Sequence, residues 1–200
     1  MVYRGRPGDE KKVLIRLCTG TGRFNFPAAN NPVMLNLDIP FTIKKLPAKT
    51  VTGICRRTSS AGGKSMTDIA AVWTEFLQTN ASAKIKNHSL PPAMYAVYSD
   101  YAGDWRGEYS YLIGCGVTRA AGIPEGMEVR KIPAQTYAIF TAKGQMPDEV
   151  LAVWSIIWLS ELPRTYTFDF ELYDARFTRP KAKEVDICVA IDPERMEAAQ

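Results

Sequence analysis

At 200 residues and 46% hydrophobic content, the chain can bury a full core, which fits one globular domain or two small intimate ones and excludes wholesale disorder. The formal charge of +4 is local: residues 1–33 carry six Arg or Lys against two acids, and 34–200 is balanced. The body therefore offers no basic face for nucleic acid.

No segment approaches the ~20 apolar residues of a membrane span, and the interrupted run 13–18 is too short for a signal peptide, so no membrane association and a cytoplasmic location are expected. Cys18, Cys55, Cys115 and Cys188 are far apart in sequence and His88 is the single histidine. Reduced, mostly buried thiols are expected, with no metal set and no cofactor.

In chain order, residues 1–33 are rich in Gly, Pro, Arg and Asn, as in Arg6-Pro7-Gly8-Asp9 and Asn30-Asn31-Pro32. Such composition favours turns over packed elements, so this stretch reads as an extension. Met34 opens the first regular segment and is a candidate start. Lys45-Leu46-Pro47-Ala48-Lys49-Thr50 recurs as Lys131-Ile132-Pro133-Ala134-Gln135-Thr136, and each copy leads into a β-branched or aromatic run, 51–55 and 137–141.

A helix follows in both copies. Ile69, Val72, Trp73, Phe76 and Leu77 form one apolar stripe, and Val150, Val153, Trp154, Ile157 and Trp158 form its counterpart. Trp73 and Trp154, at the centres of these stripes, read as core packing. Ser65 with Asp68 resembles a capping box, and Pro147-Asp148-Glu149 suits a first turn. His88 falls in a polar loop and is expected to be solvated. Two strands then close each copy, 94–101 and 109–117 in the first, 167–177 and 185–191 in the second.

The chain is thus expected to be α+β, a pseudo-twofold duplication of a strand-helix-strand-strand unit, with repeat 1 at about 34–120, repeat 2 at about 121–191 and a tail at 192–200. Two small sheets, each covered by one helix, would leave a groove where the halves meet. Within Phe168-Asp169-Phe170-Glu171-Leu172-Tyr173-Asp174, the period of two puts Phe168, Phe170 and Leu172 on one side and Asp169, Glu171 and Tyr173 on the other. If the first side is core, Glu171 looks into solvent or into that groove. Aligning Tyr98 with Tyr173 sets Ala96 opposite Glu171, so only the second half carries a central acid.

Tyr95-Ala96-Val97-Tyr98-Ser99-Asp100-Tyr101, the run Asp104-Trp105-Arg106-Gly107-Glu108-Tyr109-Ser110-Tyr111, Ile123-Pro124-Glu125-Gly126-Met127, residues 132–138 and Phe170-Glu171-Leu172-Tyr173 together resemble the effector-binding domains of AraC-type and MerR-type regulators. They are similar in particular to stand-alone GyrI-like small-molecule-binding proteins, some carried in integron cassettes. The resemblance covers about 34–191. It implies two fused modules of the SHS2 type with a pocket between them for lipophilic, often cationic, drug-like compounds. It further implies a glutamate charge anchor, matched by Glu171, and aromatic walls, for which Tyr98, Trp105, Tyr109, Tyr111 and Tyr173 are the candidates. Asp186 departs from the family's usual glutamate. Since no helix-turn-helix accompanies the module, a transcriptional role would need a separate DNA-binding partner, and gyrase is a further partner implied by the family name. The implied activity is binding, as a drug sink or as the sensing part of transcription regulation. The alternative is a hydrolase of electrophilic, cyclopropanoid-type toxins using Glu171, since a glutamate of raised pKa also suits general-base work.

Overall fold

The computed structural model describes Lys11, Lys12 and residues 39–198. Met34 and the remainder of 1–33 lie outside the described residues, as does Cys18. The strands are β1 (Lys11–Lys12), β2 (Pro40–Leu46), β3 (Lys49–Ser59), β4 (Met94–Ser99), β5 (Glu108–Val117), β6 (Glu128–Ile132), β7 (Gln135–Lys143), β8 (Phe168–Tyr173) and β9 (Glu184–Ala190). The helices are α1 (Lys64–Gln78), α2 (Ala81–Lys84), α3 (Asp148–Leu159) and α4 (Pro193–Ala198).

The α+β duplication is present, with two departures in its plan. Each copy has a leading strand that was not anticipated, β2 and β6, and the strands form one antiparallel sheet instead of two, in the order β1-β2-β7-β9-β8-β4-β5-β3-β6. Two connections explain this. β2 runs through Pro47 into β3 yet pairs with β7, and β6 runs through Pro133 into β7 yet pairs with β3. Each copy thus lends its first strand to the other. At the centre, β4 and β8 pair with each other, which satisfies backbone groups that two separate sheets would leave as bare edges. Within the stretch read as an extension, Lys11 and Lys12 pair with Phe41 and Pro40 of β2.

The register at the centre locates the pseudo-twofold axis. Ala96 is opposite Glu171, with Met94 opposite Tyr173 and Tyr98 opposite Asp169. Equivalent residues face each other only at Ala96 and Glu171, so the axis passes between them. Farther out, Gly53 pairs with Gly114, and a Cβ on Gly53 would lie 2.1 Å from the Ile113 carbonyl oxygen. Only glycine permits that approach of β3 to β5.

Both faces of the sheet are covered. One apolar cluster includes Val51, Tyr95, Val97, Leu112, Ile132, Tyr137, Phe170 and Cys188, while the larger cluster carries α1 and α3 on the opposite face. In α1, Val72 and Phe76 are buried and Leu77 is exposed, so the stripe is narrower than expected; in α3, Val150, Val153, Trp154 and Ile157 are buried. Asp148 and Glu149 occupy the first turn of α3 as expected, but Ser65 is not a cap. α1 begins at Lys64 after left-handed Gly63, and Asp68 accepts from Thr58 Oγ1 at 2.7 Å and pairs with Lys64. His88 is half-buried instead of solvated. Its Nε2 faces the carbonyls of Ser82 and Ile85 at 3.2 and 2.9 Å, so that nitrogen carries the proton. Met196 of α4 packs against the larger cluster.

Candidate functional site

Glu171 lies in β8 with its side chain on the helix-covered face, and the alternation across β8 follows the sequence pattern: Phe170 faces the opposite cluster, with Phe168 and Leu172 packed against it. The face carrying Glu171 is not solvent-exposed, however, because α1 and α3 close over it. Glu171 is 3% exposed and Asp169 is fully buried. A carboxylate in such a place must find donors, and Glu171 has three. Oε1 accepts from the Tyr98 hydroxyl and the Trp154 indole Nε1, both at 2.7 Å, and Oε2 accepts from the Tyr173 hydroxyl at 2.6 Å. Tyr98 and Tyr173 are the equivalent residues of the two copies, so one acid on the axis is clasped from both sides. The counterpart of Trp154 is Trp73, whose Nε1 donates to the Tyr111 hydroxyl at 2.7 Å.

Among the described residues, Glu171 has no cationic partner within ion-pair distance. Burial raises its pKa above the ordinary carboxylate value of 4.5, and the three donors, Tyr173 first, pull it back only in part. Burial and the neighbouring acid push the hydroxyls of Tyr98 and Tyr173 well above their usual range, so both remain donors at neutral pH.

Beside this clasp a small cavity opens between the halves, lined by Ser60, Tyr98, Tyr101, Trp105, Tyr109, Trp154, Trp158 and Arg164. Its volume is ≈ 10 Å³, about the room one water needs. An indole stack borders it: Trp105, on the loop between β4 and β5, stacks on Trp158 at 5.4 Å, and Trp158 stacks on Trp154 at 6.1 Å. Ser60 Oγ donates to the Trp105 carbonyl at 2.8 Å and ties that loop down.

Of the six residues picked from the sequence, Glu171, Tyr98 and Tyr173 are joined by hydrogen bonds. Tyr111 abuts Tyr98 edge-on at 5.1 Å, and Tyr109 and Trp105 line the cavity. The reading of Trp154 as core alone is corrected, because its ring is buried but its N–H is spent on Glu171. Trp158, Tyr101, Ser60 and Arg164 were also missed. An aromatic ladder marks Trp158; a lone Arg in a Pro-flanked loop carries no comparable signal. Asp186 lies in a separate ion-pair cluster, accepting from Arg176 at 2.6 Å and Thr141 at 2.8 Å.

Cys55, Cys115 and Cys188 are free thiols, the last two buried, and burial pushes Cys55 and Cys115 up to about 11. No helix among the described residues is long and apolar enough to cross a membrane.

A comparison with protein families matches residues 42–191 to the family described as integron-associated effector binding protein, Cass2. YobU of Bacillus subtilis (strain 168), a protein named for transcriptional regulation, is 32% identical over 155 residues, covering 74% of this chain and 96% of its own length. The transcriptional regulator BrlR of Pseudomonas aeruginosa is 30% identical over 155 residues; the match covers 74% of this chain and 54% of BrlR, about half its length. Among solved structures, the Vibrio cholerae integron cassette protein VCH_CASS2 superposes with a TM-score of 0.59 at 26% identity, covering 74% of this chain and 95% of that one. SAV2435, solved bound to tetraphenylphosphonium, superposes with a TM-score of 0.64 at 19% identity, covering 78% and 96%.

Proposed function

Because the chain belongs to the integron-associated effector-binding family, whose fold and small-molecule-binding role it shares, we propose that it binds lipophilic aromatic cations, with Glu171 as the charge anchor. The observation that carries this reading is a buried carboxylate with three neutral donors and, among the described residues, no cation of its own. Burial disfavours its charge; a delocalised cation entering beside it offsets that penalty by pairing with the carboxylate and lying against ring faces, at ~0.5–2 kcal/mol per good contact. Tetraphenylphosphonium bound to SAV2435 is a ligand of this class. Flat rings and one charge discriminate weakly among shapes, so the specificity is broad. The regulator names of YobU and BrlR support a sensing role in transcription regulation, and a drug sink is the simpler version of the same chemistry.

Titration of the full chain with tetraphenylphosphonium, followed by quenching of its four tryptophans, tests the proposal. Saturable binding that weakens by about tenfold, ~1.4 kcal/mol, in Glu171→Gln is expected. Equal affinity in the variant would remove Glu171 as the anchor.

A further inference from the structure

The cavity has a second polar end. Arg164 lines it beside Trp154, and its side chain is only 3% exposed. One of its nitrogens, Nη2, donates to Asp169 Oδ2 at 2.6 Å, while Nε and Nη1 are buried and have no hydrogen-bond partner among the described residues. Buried donors are nearly always paired, so two on one guanidinium require an account. The neighbours cannot supply one. Asp169 is filled, with Oδ2 also accepting from the Tyr101 hydroxyl at 2.7 Å and Oδ1 from the Ala190 amide at 2.8 Å. The other close groups offer ring faces: Tyr166 lies 4.4 Å from the guanidinium carbon and Trp154 5.9 Å. These aromatic faces leave the in-plane N–H groups unserved.

We propose that Arg164 is a ligand-contacting residue whose unspent donors take an uncharged acceptor oxygen, a ketone or amide carbonyl, carried by the same aromatic cation that Glu171 anchors. An uncharged oxygen is favoured over a carboxylate because Arg164 and Asp169 already form a neutral buried pair, and an anion would add a second negative charge beside Asp169. The two polar ends border one indole: Trp154 donates to Glu171 through Nε1 and faces Arg164 with its ring. A single aromatic ligand can therefore answer both. This inference rests on the cation-binding reading and adds selectivity to it, since a site built to donate hydrogen bonds disfavours analogues that lack the acceptor.

The test compares three triphenylphosphonium probes that differ at one para position, acetyl, isopropyl and carboxylate, by tryptophan quenching of the full chain. The wild type is expected to bind the acetyl probe about tenfold more tightly than its isopropyl isostere, and more tightly than the carboxylate. Arg164→Lys keeps the charge opposite Asp169 but loses the fork, and should reduce the acetyl preference to about twofold or less. Should that variant fail to fold, Arg164→Met with Asp169→Asn removes the pair together and serves the same comparison, and the wild-type ranking decides if neither folds. Glu171→Gln should weaken the acetyl and isopropyl probes alike, leaving their ratio intact. Equal affinity for these two probes with retained dependence on Glu171 overturns the Arg164 proposal alone, as does a carboxylate preference. Failure of every probe to bind overturns it together with the cation-binding reading.

Discussion

If Glu171 anchors a cation as proposed, folding and binding pull in opposite directions at this residue. Its folded-state pKa is raised above 4.5 by burial, so the folded protein holds this proton more tightly than the unfolded chain does. The sign follows from linkage: the group contributes fully to stability below the unfolded value, and that contribution is lost as pH rises from there through the folded value. Each unit of elevation is worth ~1.4 kcal/mol. Glutamine lacks this slope and can keep the clasp. Its carbonyl accepts from Tyr98 and Trp154 as Oε1 does, and the Tyr173 hydroxyl can turn to accept from the new amide. Ligand-free Glu171→Gln should therefore gain on the wild type in melting temperature as pH rises from about 4.5 toward neutrality. Cation affinity of the wild type should rise over the same window, since binding requires the ionised form. Parallel thermal melts and titrations across pH check both trends; a wild type with flat affinity would detach the charge of Glu171 from binding.

At the scale of elements, we predict that the loop between β4 and β5 controls access to the proposed site. Its Trp105 ends the indole stack beside a cavity too small for any organic cation, so the site must widen to admit one, and this loop is the element expected to move. The tip around Trp105 is held by the Ser60 bond to its carbonyl and by the stack on Trp158, while the base of the loop is tied down by the Tyr101 hydroxyl on Asp169 and by Arg57 on the Asp100 carbonyl. Trp105→Ala should cost less than ~1 kcal/mol of stability because the ring sits on a surface loop. Cation association in stopped-flow quenching should accelerate and affinity should drop by about tenfold, the loss appearing in dissociation. An unchanged association rate would place the entry path elsewhere. The sequence signals at this scale were uneven for physical reasons. Helical ladders marked α1 and α3 because both bury an apolar stripe. The leading strands β2 and β6 are hard to see in the sequence because each interrupts its apolar alternation with two adjacent basic residues, Lys44-Lys45 and Arg130-Lys131, the latter on the edge strand, where charge protects against pairing. Trp154 packs in the core as its ladder implies, but periodicity reports which side of a helix is covered and is blind to where one N–H goes. Arg164 lies outside any periodic element, and its pairing with Asp169 exists only once the loop at 160–167 folds back.

For the whole molecule, the exchange of leading strands and the pairing of β4 with β8 make the two copies one sheet with an internal axis, and that axis explains the single acid. Equivalent positions 96 and 171 face each other across β4 and β8, where directly paired side chains sit ~4.5–5.5 Å apart at Cβ. Acids at both positions would put two carboxylates in one buried site, where they cannot both ionise. Ala96, fully buried, leaves the space for one. Ala96→Glu should accordingly destabilise the protein by ~3 kcal/mol or more, through overpacking and a second buried charge. The exchange variant, Ala96→Glu with Glu171→Ala, should recover most of that loss. By the pseudo-symmetry the new acid meets Tyr173 and Tyr98 in swapped roles, and Trp73 stands where Trp154 stood, free to donate to it in place of Tyr111. A double-mutant cycle from denaturant unfolding measures the coupling, which should exceed ~2 kcal/mol in the compensating direction. Cation affinity should return only in part, because Trp158 and Arg164 line the cavity from the second half and do not move with the acid. A double variant as unstable as Ala96→Glu alone would mean that the two halves, though alike in backbone, are not interchangeable around the carboxylate.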